Sequence, residues 1–266
     1  MKKNGFVLNK YTLSLFIVLL VLAVDILRHK GMFRILLPAT FIKNQPPQKL
    51  IRCDRPLVVS GKKWMKAVNN LERIEQLPKD IAGFEMDVYF DTAKNHLKVY
   101  HDSSEYNLLD IESILKIYRS RNLSCSIWLD FKNLSAFNQA QSLKYIIYLR
   151  TQYDLKRKLI IESSFPELLV SFCDSGFFTS YYVPLFNPYL LSEKENIKLV
   201  ETISANLRQY PASALSGYYF QYPFLKKFFP DYPVLTWAAR PDISVVSTVF
   251  NRKLQNDPQL KIVLYP

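Results

Sequence analysis

From about Asp54 onward, short runs rich in branched and aromatic residues alternate with longer runs whose apolar positions recur at helical spacing. The first kind reads as strands and the second as helices. Eight strands are expected, at 56–60 (PLVVS), 83–90 (GFEMDVYF), 125–132 (CSIWLDFK), 159–164 (LIIESS), 178–184 (FTSYYVP), 214–220 (ALSGYYF), 233–239 (PVLTWAA) and 261–266 (KIVLYP). Helices are expected in MKAVNNLERIEQL, LLDIESILKIYRSR, SAFNQAQSLKYIIYLRTQY and EKENIKLVETISANLRQY. The run LKVYHD follows the turn-like DTAKN so closely that it should fold back on the second strand as a hairpin. Eight strand–helix units predict an α/β fold, a TIM (β/α)8 barrel over residues 54–266, with its site at the C-terminal ends of the strands. No internal repeat or low-complexity segment interrupts this pattern.

Before the barrel, YTLSLFIVLLVLAVDIL (11–27) is an apolar run broken only by Asp25 and preceded by the basic MKKNGFVLNK. Residues 1–30 are therefore expected to be a membrane-anchor helix or a signal segment. An uncleaved anchor is favoured, because no small-x-small cleavage site follows and RHKGMFRILLPATFIKNQPPQ continues as a basic, apolar and then proline-bearing linker over 31–53. This predicts a single-pass membrane protein with an extracytoplasmic catalytic domain. Lys and Arg flank both ends of the run, so they do not orient it.

Strand alternation then sorts the polar residues. Phe84, Met86 and Val88 face one way while Glu85 and Asp87 share the other face. In the third strand Ser126, Trp128, Asp130 and Lys132 share a face, and Glu162 lies near the end of the fourth. Paired acids persist on an apolar strand when water, hydrogen bonds or a cation compensates them. Glu85, Asp87 and Asp130 in one barrel mouth would hold a hard divalent metal, Mg²⁺ or Ca²⁺. The plain alternative is a structural ion-pair network around Lys132. His101 and Asp102 end the hairpin and make His101 a catalytic candidate, whereas His29 and His96 carry no expected role. Trp128, Tyr181, Tyr218 and Trp237 are candidates to line the mouth against an apolar or sugar-like group, or else plain core.

The formal net charge of +12 suits an anionic partner. The basic residues are scattered, with no zinc-finger or RNP-like pattern, so nucleic acid is not the expected partner. Cys53, Cys125 and Cys173 are widely spaced and form no CxxC pair, so neither a disulfide framework nor a zinc site is expected.

The succession GFEMDVYF, VYHD and IWLDFKN resembles the glycerophosphodiester phosphodiesterase superfamily of PLC-like phosphodiesterases: an acid-x-acid strand, a His-Asp hairpin end and a strand ending in acid-x-Lys. The LDFK and AVN motifs are similar to those of its menorin-like branch, and the resemblance covers roughly residues 56 to 266. It implies Glu85, Asp87 and Asp130 as metal ligands, His101 as one of two acid/base histidines, and Lys132 near the phosphate. Asn69, Glu162 and Trp237 complete the expected substrate-binding set. The sequence departs from the family at the first histidine. The broader family has His-Arg-Gly at the end of the first strand, where this chain has VVSGKKW; the menorin-like branch has His-Ala-Val-Asn, where this chain has Lys66 in KAVN. Beside carboxylates an ammonium is a poorer base, so Lys66 fits a phosphate clamp or proton donor. The expected activity is metal-dependent hydrolysis of a glycerophosphodiester or related lipid-derived phosphodiester. The alternative is a catalytically impaired barrel serving as a ligand-binding or scaffolding protein.

Overall fold

The computed structural model describes residues 9–101, 109–238 and 242–266. The chain divides into two compact units, Thr40–Arg240 with Asp257–Pro266, and Met1–Ala39 with Pro241–Asn256.

The larger unit is the barrel. Its strands are β1 (Lys63–Met65), β2 (Gly83–Asp91), β3 (His96–Val99), β4 (Ser126–Phe131), β5 (Leu159–Ser163), β6 (Phe178–Tyr182), β7 (Ala214–Tyr218), β8 (Val234–Trp237) and β9 (Leu260–Tyr265). Eight of them run parallel and close on themselves, because β1 pairs with both β2 and β9. The hairpin is as expected: β3 is antiparallel to β2, with Asp91 opposite His96. Its turn is fixed by Asp91, whose Oδ1 accepts the N–H groups of Ala93 (3.0 Å) and Lys94 (3.1 Å), and by Asn95 at φ 57°.

Helices α3 (Leu71–Glu75), α4 (Ile111–Ser120), α5 (Gln139–Gln152), α6 (Pro166–Asp174), α7 (Glu193–Gln209) and α8 (Tyr222–Phe228) belong to this unit. In α4 the buried residues are Ile111, Ile114, Leu115 and Tyr118, the single apolar stripe that helical periodicity requires. Phe84 meets Tyr118 on the outside of the sheet, so its neighbours Glu85 and the other odd positions of β2 point inward. The barrel interior is filled by Trp64, Trp128, Ile160, Phe178, Leu235 and Leu264 among others. Gly83 is required there: a Cβ on it would lie 2.3 Å from the Trp64 indole.

Three expectations are corrected. Residues 56–60 do not form the first strand, which is Lys63–Met65 instead. Leu57 and Val59 pack against the interior cluster from outside the sheet, and the Val58 N–H donates to Arg157 O (2.8 Å). An apolar run that closes the end of a barrel has the same composition as a strand within it. The helix expected from Met65 is only Leu71–Glu75, because Ala67 adopts φ 55° and Asn70 caps the helix through the Arg73 N–H (2.8 Å). Finally, Cys53 and Cys173 form a disulfide across 120 residues with Cα atoms 6.6 Å apart, while Cys125 is free and buried. Only the tertiary fold brings so distant a pair together.

The smaller unit comprises α1 (Lys10–Arg28), α2 (Lys30–Leu36) and α9 (Val245–Asn256), so a helix lies within the expected linker. The α1 helix is long and apolar enough to cross a membrane, and none of its residues is buried. The α2 and α9 helices pack together, with Lys253 Nζ donating to Ile35 O (2.7 Å). His29 is not incidental: it bridges Asp25 (3.0 Å) and Asp242 (3.5 Å) at the α1–α2 junction.

Candidate functional site

The parallel register places Glu85 beside Trp128, Asp87 beside Asp130, Asp130 beside Glu162, and Glu162 beside Ser180. Acids on three adjacent strands therefore converge on the inside of the barrel. Oxygen atoms of Glu85, Asp87 and Asp130 all lie within 4.8 Å of one another, and Glu85 and Asp87 are buried.

The loop that replaces the expected helix holds two of these carboxylates, Glu85 and Asp87. The Ala67 N–H donates to Glu85 Oε2 (2.7 Å) and the Val68 N–H to the Glu85 carbonyl (2.8 Å). Asn69 Nδ2 donates to Asp87 Oδ2 (2.5 Å), and the Asp87 N–H donates back to Asn69 Oδ1 (3.0 Å). In the structure Asn69 thus contacts a candidate ligand residue and fixes its orientation. The positive φ of Ala67 aims its amide at Glu85, a feature no side-chain pattern announces.

Lys132 lies between two acids, 2.7 Å from Asp87 Oδ1 and 2.5 Å from Asp130 Oδ2. Burial alone would lower its pKa, but Asp130 and Asp87 outweigh it and hold the ammonium well above its usual range. One cation does not neutralise four carboxyls. Glu85 is pushed up to about 8, by burial first and then by Asp87 and Asp130, against the Ala67 N–H and Lys132. Asp130 is raised by burial, partly offset by Lys132 and His101. Glu162, fully buried, is raised well above the usual carboxyl range by burial and then by Asp130 and Glu85.

His101 follows β3, is exposed, and accepts the Tyr89 hydroxyl at its carbonyl (3.0 Å); its partner in the motif, Asp102, lies outside the described residues. Lys66 directly follows β1, with its N–H donating to Tyr265 O (2.8 Å). Its side chain makes no ion pair among the described residues. Trp237 packs against Trp128 (5.5 Å), Tyr182 (5.2 Å) and Tyr218 (5.5 Å). Trp128 is wholly buried and forms interior rather than mouth. Tyr181 meets the second alternative, plain core: it faces α7, where its hydroxyl accepts from Asn206 Nδ2 (3.0 Å), and Tyr182 takes the inward position. Because Ser180 faces Glu162, parity already assigns 182 and not 181 to the interior.

Beside Glu162 lie two further polar groups, the hydroxyls of Ser180 and Ser216. Both Glu162 oxygens, the Ser180 and Ser216 hydroxyls and the Trp128 Nε1 are buried without a hydrogen bond of regular geometry among the described residues. Buried polar atoms are normally satisfied, so this interior suits water or the polar groups of a ligand. Isolated serines on apolar strands give no sequence signal of this kind.

No family model matches the sequence, and no curated protein matches it. Solved structures do. A protein from Silicibacter pomeroyi DSS-3, assigned as a glycerophosphoryl diester phosphodiesterase, is 13% identical and has a TM-score of 0.54, over 80% of this chain and 92% of that one. One from Galdieria sulphuraria, assigned as a glycerophosphodiester phosphodiesterase, is 12% identical over 78% and 94%, with a TM-score of 0.52. An Oleispira antarctica phosphodiesterase, solved with its product sn-glycerol-3-phosphate, is 13% identical over 77% and 92%, with a TM-score of 0.51. At these identities the likeness establishes a shared barrel fold.

Proposed function

We propose that this chain is a membrane-anchored, metal-dependent phosphodiesterase that hydrolyses a glycerophosphodiester or a related lipid-derived phosphodiester. The observation that carries the reading is the convergence of Glu85, Asp87 and Asp130 inside a barrel of the phosphodiesterase fold. The donor set fits a hard divalent cation, Mg²⁺ or Ca²⁺: it is all oxygen, anionic and preoriented by Asn69 and the Ala67 N–H. Such an ion, when bound, neutralises phosphate oxygens as charge develops.

The other roles belong to the chain itself. Lys132, kept protonated by Asp87 and Asp130, is placed to contact phosphate. His101 serves as general acid or base. Lys66, at the end of the first strand, stands where the family has its first histidine and acts as phosphate clamp or proton donor. Glu162, whose carboxyl burial holds above its ordinary range, faces the same interior as a hydrogen-bonding group for a substrate oxygen, and Trp237 packs against the alcohol portion. The KAVN and LDFK motifs support the menorin-like branch. The disulfide supports an oxidising, extracytoplasmic setting for the barrel.

The test is hydrolysis of a bis-aryl phosphate and of glycerophosphodiesters by the full chain in detergent with Mg²⁺, Ca²⁺, Mn²⁺ or EDTA. Turnover abolished by EDTA and restored by metal is expected. No turnover under any condition, with metal still raising the thermal midpoint, would replace this reading by the second one, a ligand-binding barrel that lost its first histidine. The occurrence of Lys66 at that position specifically favours this second reading. Activity that arises only in Lys66→His would mark a lapsed enzyme, whereas loss of existing activity in that variant would make Lys66 a working residue.

A further inference from the structure

Three exposed apolar residues lie within the seven-residue span 243–249: Ile243 is fully exposed, and Val245 and Val249 are 62% and 47% exposed. Scattered exposed aliphatics are ordinary on a protein surface, but these line one groove of about 800 Å³ together with Ile17, Val21 and Val24 of α1. At 1.5 Å per residue α1 is about 28 Å long, close to the thickness of a bilayer's hydrocarbon. Arg28, Lys30 and Arg34 follow its apolar stretch, as at a headgroup boundary.

The join between α1 and this segment is polar and specific. Asp25, the one acid in the apolar run, accepts the Val246 N–H at Oδ2 (3.0 Å), and Oδ1 lies 3.0 Å from His29 Nδ1. The first turn of α9 has N–H groups that its own helix cannot satisfy, and a carboxylate there complements the helix dipole. Arg28 pairs with Asp242 (3.1 Å), and Ser244 Oγ meets His29 Nδ1 (3.3 Å). An acid near lipid is costly unless it is partnered, and here its partner is α9. The polar groups of the two pieces face each other, which leaves their aliphatic side chains as one continuous apolar surface.

We infer that Asp242–Val249 is a second membrane-contacting element, seated beside the C-terminal half of α1 with Ile243, Val245 and Val249 among the acyl chains. The inference rests on the reading of α1 as a membrane anchor and goes beyond it. It commits the groove to bilayer lipid, and it makes α1 a retained structural partner of α9. Residues 242–249 are then held at the bilayer by their own side chains as well as by the anchor.

The experiment uses the full chain in nanodiscs of phosphatidylcholine and phosphatidylglycerol, in a Cys125→Ser background. An environment-sensitive fluorophore is attached in turn through Val18→Cys, Ile243→Cys and Phe137→Cys, the last being an exposed position on the barrel unit. Doxyl-labelled lipids should quench the labels at 18 and 243 and leave the label at 137 unaffected. Adding Asp25→Leu should bring quenching at 243 down to the level at 137, while 18 stays quenched. A label at 243 that behaves like the one at 137 while 18 is quenched overturns the inference alone. An unquenched label at 18 overturns the anchor reading and the inference with it. Cleavage of the chain before Asp25, read by mass spectrometry of the purified protein, also overturns the inference.

Discussion

The barrel interior has two unlike walls. On β2, β4 and β5 it carries Glu85, Asp87, Asp130 and Glu162, with Lys132 directly after β4; on β6, β7 and β8 it carries Tyr182, Tyr218 and Trp237 with the hydroxyls of Ser180 and Ser216. Both walls obey the same strand parity, so the difference lies in chemistry and not in backbone. One wall concentrates charge that only a cation or protons can balance, and the other offers flat apolar surface with neutral hydroxyls. A phosphodiester has the same division, an anionic centre flanked by alcohol-derived groups. Under the proposed function the phosphate would lie toward β2 and β4 and the alcohol portion toward the aromatic wall.

The comparison can be broken most sharply on the charged wall. Asp87→Asn removes one ligand oxygen's charge and one partner of Lys132. A metal effect worth several kcal/mol corresponds to roughly a thousandfold loss of hydrolysis. Steady-state kinetics across metal concentrations measures it, and retained activity would remove Asp87 from the metal site. Asn69→Ala leaves the charge in place and loosens its holder, so metal affinity should weaken about 10–100-fold, read by titration calorimetry. Unchanged affinity would show that Asp87 is held by the strand alone.

On the aromatic wall the expected effect is smaller. Trp237→Ala should raise KM about tenfold for a substrate with a bulky alcohol group and leave kcat within a few-fold, as loss of uniform binding does. An equal fall in kcat and kcat/KM would instead assign Trp237 to the transition state.

The last effect falls on stability and not on activity, in its pH dependence. A carboxyl whose folded pKa is about 8 against an ordinary 4.5 binds its proton more tightly when folded. Its stabilisation is complete below about 4.5 and is lost as pH climbs through about 8. The metal-free thermal midpoint should fall across that window, and Glu85→Gln should flatten part of the fall. A profile unchanged by this variant would mean that Glu85 stays ionised.

Strand parity made the charged wall legible, because alternation in GFEMDVYF and SIWLDFK needs only the sequence to put Glu85, Asp87, Asp130 and Lys132 on one side. The same rule, applied to FTSYYVP from Ser180, selects Tyr182 over Tyr181. What the sequence hid is non-local or conformational. The Asn69–Asp87 clasp depends on Ala67 at positive φ, the Cys53–Cys173 bond on a 120-residue separation, and the burial of Leu57 and Val59 on a barrel end that exists only after closure. His29 gains its second acid, Asp242, only through the tertiary fold, although Asp25 lies one helical turn before it in the sequence.

The seam of the barrel has a consequence for synthesis. Strand β1 is three residues long, and it pairs Trp64 with Leu264, two hundred residues later in the chain. Strands β2 to β8 can form while the polypeptide is still emerging, but the sheet keeps two open edges until β9 is made. Contacts of such high sequence separation form slowly, and unpaired edges invite association with other chains. A chain truncated before residue 260 would thus form a curved open sheet, with the acid wall complete and its β1–β9 seam unjoined.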